Sequence, residues 1–279
     1  MALNIFLDWV MVPGNLGVPA MGVAGAAWAT VLANLFNAIL SGSIIWSRHN
    51  RSTYNTGEPR KTPWSDIRKS FEVGLPAGMG DFIEIASFSV FFAMIGRLGT
   101  ETLAANQIAV QYMSISFTYG LAISMAASSL VSQFVGSGEL SLAEKSAYRS
   151  LIIGMVGMGL IGLTYLISPA FLIGVFSEDP AVIEAGVTIL RVIAVYQIFD
   201  AAGIVLSGAL MGGGDTRFTM LTRLILAWGV FLPAAWLTIF RIDGGIQGAW
   251  IAALSYLFGL ALIYFWRFRS GYWKTIQLS

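Results

Sequence analysis

Cysteine is absent from this chain of 279 residues, which excludes disulfide bonds, thiolate metal centres and thiol nucleophiles. Histidine is almost absent. His49 stands alone beside Arg48, Asn50 and Arg51, with no second histidine to complete a zinc site. Charge is scarce too: Asp, Glu, Lys and Arg make up 11% of the residues, too few to cover a soluble domain of this length. A net charge of +1 offers no electrostatic footprint for nucleic acid. The N-terminal run lacks the basic region of a secretory leader, and Asp8 interrupts it.

What is present is apolar. Hydrophobic residues reach 56% and mean hydropathy is +0.74. The 31 glycines scattered through apolar runs suit close helix contacts, and the 18 Phe and 9 Trp suit interfacial belts. A hydrocarbon core of about 30 Å needs roughly 20 apolar residues in a helix. Seven segments qualify: residues 23–46, 67–95, 104–135, 151–176, 182–211, 218–240 and 246–266. A shorter stretch, 3–12, ends at the turn-forming Pro13-Gly14-Asn15 and is too short to span. The expected fold class is all-α, a polytopic membrane helix bundle.

Punctuation marks the helix ends. Ser141-Leu142-Ala143-Glu144 reads as a capping box, Asp179-Pro180 as an N-cap beside a first-turn proline, and Asp215 as the cap of the next helix. The polar stretch 47–66 is the one plausible domain boundary. Most Lys and Arg residues, including Arg48, Arg60, Lys69, Lys145, Arg223 and Arg267, fall on one side of the spans. Only Arg97, Arg191 and Arg241 fall on the other. The asymmetry puts the 47–66 stretch and the C-terminus in the cytoplasm, for a chain expected in the cell (inner) membrane.

A repeat also appears. The pattern G-x-x-G-A-x-x-A opens at Gly22 and again at Gly245, each time after a turn and before an apolar helix. Parallel duplicated halves, each a bundle of helices, would explain it. The copies lie 223 residues apart. At that offset, roughly 155 residues of the first bundle would be missing from this chain.

Ionisable groups in a bilayer centre are costly, and therefore candidates for function. Glu84 and Asp200 each lie about 20 Å of helix from their nearest charged flank, close to mid-depth. Asp81 is one turn before Glu84 on the same face. By residue count no Lys or Arg shares that depth. Acids so placed would hold a proton or a cation such as Na⁺. Tyr196, one turn before Asp200, could offer its hydroxyl to the carboxylate or its ring to a cation. Gly74 and Pro76 open the Glu84 helix with hinge chemistry, since an interior proline frees a carbonyl. Asn106, Gln107 and Gln111 begin the next helix as possible accessory contacts. Phe82, Phe88, Phe91 and Phe92 either line a cavity or pack outward. Gly212-Gly213-Gly214-Asp215 matches the G-x-G-D string of intramembrane aspartyl proteases. That chemistry needs a Tyr-Asp partner, which the chain lacks, so no catalytic residue and no enzyme activity is expected.

Together these strings resemble the multidrug and toxic-compound extrusion (MATE) family, NorM-like branch. Gly74-Leu75-Pro76 followed by Glu84 resembles its seventh helix, and the run Leu103-Ala104-Ala105-Asn106-Gln107 its eighth. The run Val131-Ser132-Gln133-Phe134-Val135-Gly136 resembles the following turn, and Leu206-Ser207-Gly208-Ala209 through Gly214-Asp215-Thr216 the tenth-to-eleventh signature. His is more usual at the Asn106 position, and Arg near Met211. The resemblance implies two six-helix lobes that export organic, often cationic, compounds in exchange for Na⁺ or H⁺, with no other cofactor. It implies that Glu84, Tyr196 and Asp200 match the cation site. Residues 1–46 would then be the end of the N-lobe (part of helix five, then helix six), 47–65 the inter-lobe loop and 66–279 the complete C-lobe. Helices one to four would be missing. Two alternatives stand: a lipid-linked oligosaccharide flippase of the same superfold, which predicts cavity arginines, and a transport-incompetent fragment that packs with a partner lobe.

Overall fold

The computed structural model describes residues 2–54 and 63–276. The chain divides into two compact units, Met1–Pro63 and Trp64–Ser279. In the first, α1 (Ala2–Met11) turns back onto α2 (Gly22–Ile45). A Cβ on Gly25 would meet the Met11 carbonyl oxygen at 2.5 Å, so glycine lets the two backbones touch. A short helix, α3 (Arg48–Tyr54), occupies the start of the stretch expected to be loop. The rest of that polar stretch, 55–62, lies outside the described residues.

The second unit holds six of the seven helices that are long and apolar enough to cross a membrane, among the described residues. In chain order they are α4 (Trp64–Ile95), α5 (Thr100–Gly136), α6 (Leu140–Ile167) followed by the short α7 (Pro169–Gly174), α8 (Pro180–Gly212), the α9 (Thr216–Leu226) and α10 (Leu232–Phe240) pair, and α11 (Gly245–Arg269). The all-α membrane bundle expected from the sequence is the one observed. Each expected span falls within a few residues of its helix, with two differences. α6 begins eleven residues earlier than expected, and it breaks at Ser168 because Pro169 starts a new helix. A π turn, Ala227–Phe231, joins α9 to α10 just before Pro233, whose missing N–H the wider turn accommodates.

α8 is the central helix, packed against α5, α6 and α11. Its sequence permits this. Gly208 and Gly212 lie one turn apart on one face, and a Cβ on either would meet the carbonyl oxygen of Ser124 at 2.5 Å or of Ser128 at 2.4 Å. Small residues face small residues, so the α5 and α8 backbones approach closely, as membrane helices do where lipid gives no hydrophobic drive. Ser124 Oγ also donates to the Ile204 carbonyl at 2.8 Å. Gly212→Val should therefore cost about 2 kcal/mol by overpacking, measured as a lower melting temperature in detergent; an unchanged midpoint would contradict this contact.

The helix ends partly match expectation. Asp179 accepts from the Ala181 amide at 2.9 Å, a true N-cap. The capping box is not formed. α6 starts upstream at Leu140, so Ser141 lies inside the first turn, and Glu144 is drawn instead to Lys274. Asp215 stands at the N-cap of α9, but its carboxylate takes Arg267 at 2.7 and 3.3 Å rather than a backbone amide. That pairing gives Asp215 a structural role. The repeat has a backbone counterpart: Gly22 and Gly245 both take positive φ, 54° and 56°, as they open α2 and α11.

Candidate functional site

α4, α5, α8, α9 and α11 enclose a cavity of about 690 Å³. Glu84 and Asp81 reach it from α4, and Asp200 from α8. The two acids that sequence depth paired thus line one space. Asp200 is 8% exposed, and no hydrogen-bond donor reaches its carboxylate among the described residues. A side chain so placed is costly unless something positive or a proton arrives. Most of the wall is apolar and soft: Phe88, Phe92, Met113, Phe117, Met125 and Met211. Such a wall accepts flat or bulky organic bodies of varied shape.

The expectation that no basic residue shares this depth is wrong. Arg223 of α9 lines the cavity with its side chain 13% exposed. Its Nη1 pairs with Asp81, its Nε lies 3.4 Å from Glu84 Oε2, and its Nη2 donates to Ser207 Oγ at 3.1 Å. The cause is length. Arg223 is seven residues into α9, about 10 Å deep, and its flexible stem carries the guanidinium further. Counting residues from the flank located its Cα, not its charge.

The other candidates separate. Tyr196 is 1% exposed and reaches the cavity wall, but its hydroxyl donates to Met113 Sδ rather than to Asp200. Its ring stacks on Trp250, with centroids 6.1 Å apart. Asn106 is fully buried away from the cavity, accepting from Trp250 Nε1 at 3.2 Å while its own Nδ2 has no partner. Gln107 and Gln111 are exposed and do not line the cavity. Phe88 and Phe92 line it; Phe91 is core, and Phe82 is 64% exposed. α4 runs on through Pro76, and a Cβ on Gly74 would meet nothing within 4 Å. Sequence reasoning missed Arg223, Ser207 and Tyr264, the last of which donates to the Thr219 carbonyl at 3.0 Å from the same wall. Ser207 carries a usable signal, lying two turns from Asp200 on one face of α8.

A family model described as MatE matches residues 76–237, more than half of the chain. The chain belongs to the MatE family. Among its relatives is the probable multidrug resistance protein NorM of Thermotoga maritima, 29% identical over 272 residues, covering 98% of this chain and 58% of the relative. Among solved structures, the eukaryotic MATE transporter AtDTX14 superposes with a TM-score of 0.87 at 20% identity, covering 98% of this chain and 60% of that one. The MATE transporter ClbM, solved in complex with Rb⁺, superposes at 0.77 and 22% identity, covering 98% and 60%. This MatE chain therefore spans less than two thirds of the length of the relatives it matches. It is a multi-pass membrane protein related to transporters.

Proposed function

We propose that the chain is part of a secondary active exporter that expels organic, often cationic, compounds in exchange for Na⁺ or H⁺. The observation that carries this is the cavity itself, where Glu84 and Asp200 from two different helices face one apolar chamber. Three carboxylates against one guanidinium leave it acidic, as a cation requires. That ClbM was solved with Rb⁺ supports a cation site in this fold. In the mechanism, cation binding from outside draws α4 and α8 together, and Gly74 and Pro76 let α4 bend. A cation that binds one conformation better shifts the outward/inward equilibrium by that difference in affinity, and drug leaves on the outer side. Residues 1–46 would be the end of an N-lobe, 47–65 the inter-lobe loop and 66–279 a C-lobe. The lysine and arginine bias supports a cytoplasmic C-terminus, and the proposed location is the inner membrane.

The flippase alternative predicts cavity arginines for a pyrophosphate, and Arg223 is one. Its charge, however, is already taken by Asp81 and Glu84, which leaves none for an anionic ligand. The test is drug accumulation in efflux-deficient cells expressing the chain, with and without a co-expressed N-terminal half. Cation-dependent efflux restored only with that half is the expected result. Efflux from neither combination would leave the transport-incompetent fragment as the better reading.

A further inference from the structure

We propose that Arg223 is a tethered internal cation that neutralises Glu84, so that in this conformation Asp200 alone holds the coupling ion. This rests on the transport reading above and refines which carboxylate acts first.

The geometry sets the roles. The guanidinium bridges α4 and α8, with Nη1 on Asp81, Nε 3.4 Å from Glu84 and Nη2 3.1 Å from Ser207 Oγ. Gly80 makes room for it, since a Cβ there would already stand 3.4 Å from Nη1. An arginine cannot give up its proton here, so its charge is permanent. Asp81 is 63% exposed and Glu84 26%, so the pairing with Glu84 is the less screened of the two. Asp200 receives none of these hydrogen bonds. It lies seven residues before Ser207 on α8, about 10 Å along the helix. With no hydrogen bond between them, Arg223 acts on an ion at Asp200 through the field, and Glu84 together with Asp81 cancels that field while the pairs are intact. Glu84 becomes a ligand only when Arg223 leaves it, which makes the exchange of partners part of the conformational step.

Radioactive sodium binding to the purified full chain in detergent separates this from direct ligation by Glu84. Arg223→Gln should tighten sodium binding about tenfold, and Glu84→Gln, which leaves Asp81 as the guanidinium's one carboxylate partner and removes a negative charge from the cavity, should weaken it about tenfold. The double variant Glu84→Gln/Arg223→Gln should return to within about threefold of the unmodified chain, because the pair is removed together. That rescue is a readout no merely structural role predicts, and the balanced double variant carries the test if either single variant fails to fold. A double variant that binds no better than Glu84→Gln makes Glu84 a direct ligand and overturns the tether. Sodium binding by none of the variants overturns it as well. Sodium binding untouched by Asp200→Asn overturns the proposal too, whereas the transport reading fails separately if Asp200→Asn weakens sodium binding and leaves drug efflux unchanged.

Discussion

Asp200→Asn should reduce cation-driven drug efflux by the complemented protein to the background of cells without it, and weaken sodium binding at least about tenfold. The substitution keeps the size and shape of the side chain and removes only its charge. Because the carboxylate accepts no hydrogen bond among the described residues and faces the cavity, little folding energy goes with it. Melting in detergent should change by less than the equivalent of about 1 kcal/mol. Loss of function with retained stability is thus the signature to look for. Drug accumulation equal to that of the unmodified protein would remove Asp200 from the coupling site, and with it the central claim about the cavity.

What the sequence revealed and what it concealed divide along a physical line. Span positions were legible because apolar runs, glycines and Asp179-Pro180 act on their own few residues. That Glu84 and Asp200 would line one space was legible for the same reason, since helical rise is fixed. Glu144 shows where local reading stops. Its capping partner was three residues away in the pattern, but Lys274, 130 residues further on, claims the carboxylate. Because α6 starts at Leu140, Ser141 is not an N-cap, and the carboxylate is left for a charge brought near by folding.

The partners of Arg223 and of the Tyr196 hydroxyl escape a reading of spacing for a second reason, side-chain reach. Arg223 meets Asp81 across 142 residues of sequence, and Tyr196 meets Met113 across 83. Spacing placed Tyr196 one turn from Asp200 correctly, yet the hydroxyl points to a neighbouring helix rather than along its own. The consequence for the site is direct. Acids expected to have no basic neighbour became three acids and one base, and Asp200 is the one that no ion pair or hydrogen bond reaches among the described residues.

Trp250→Ala should be among the most damaging single changes to the fold, costing about 3–5 kcal/mol. The indole is fully buried and joins four helices: its own α11, α4 through Phe91 at 5.5 Å, α5 through Asn106, and α8 through Tyr196. Truncation opens a cavity at that junction and strips Asn106 of its donor when its Nδ2 already lacks a partner. Trp250→Phe keeps much of the packing and loses only the 3.2 Å hydrogen bond, so it should cost about 1–2 kcal/mol. The two variants, compared by thermal unfolding in detergent, divide packing from polar satisfaction. Because Tyr196 loses its stacking partner in the alanine variant, drug efflux should fall further than stability alone dictates. Equal melting temperatures for both variants would show that the aromatic junction contributes little, and that the α8 face carrying Asp200 is held by its glycine contacts with α5 instead.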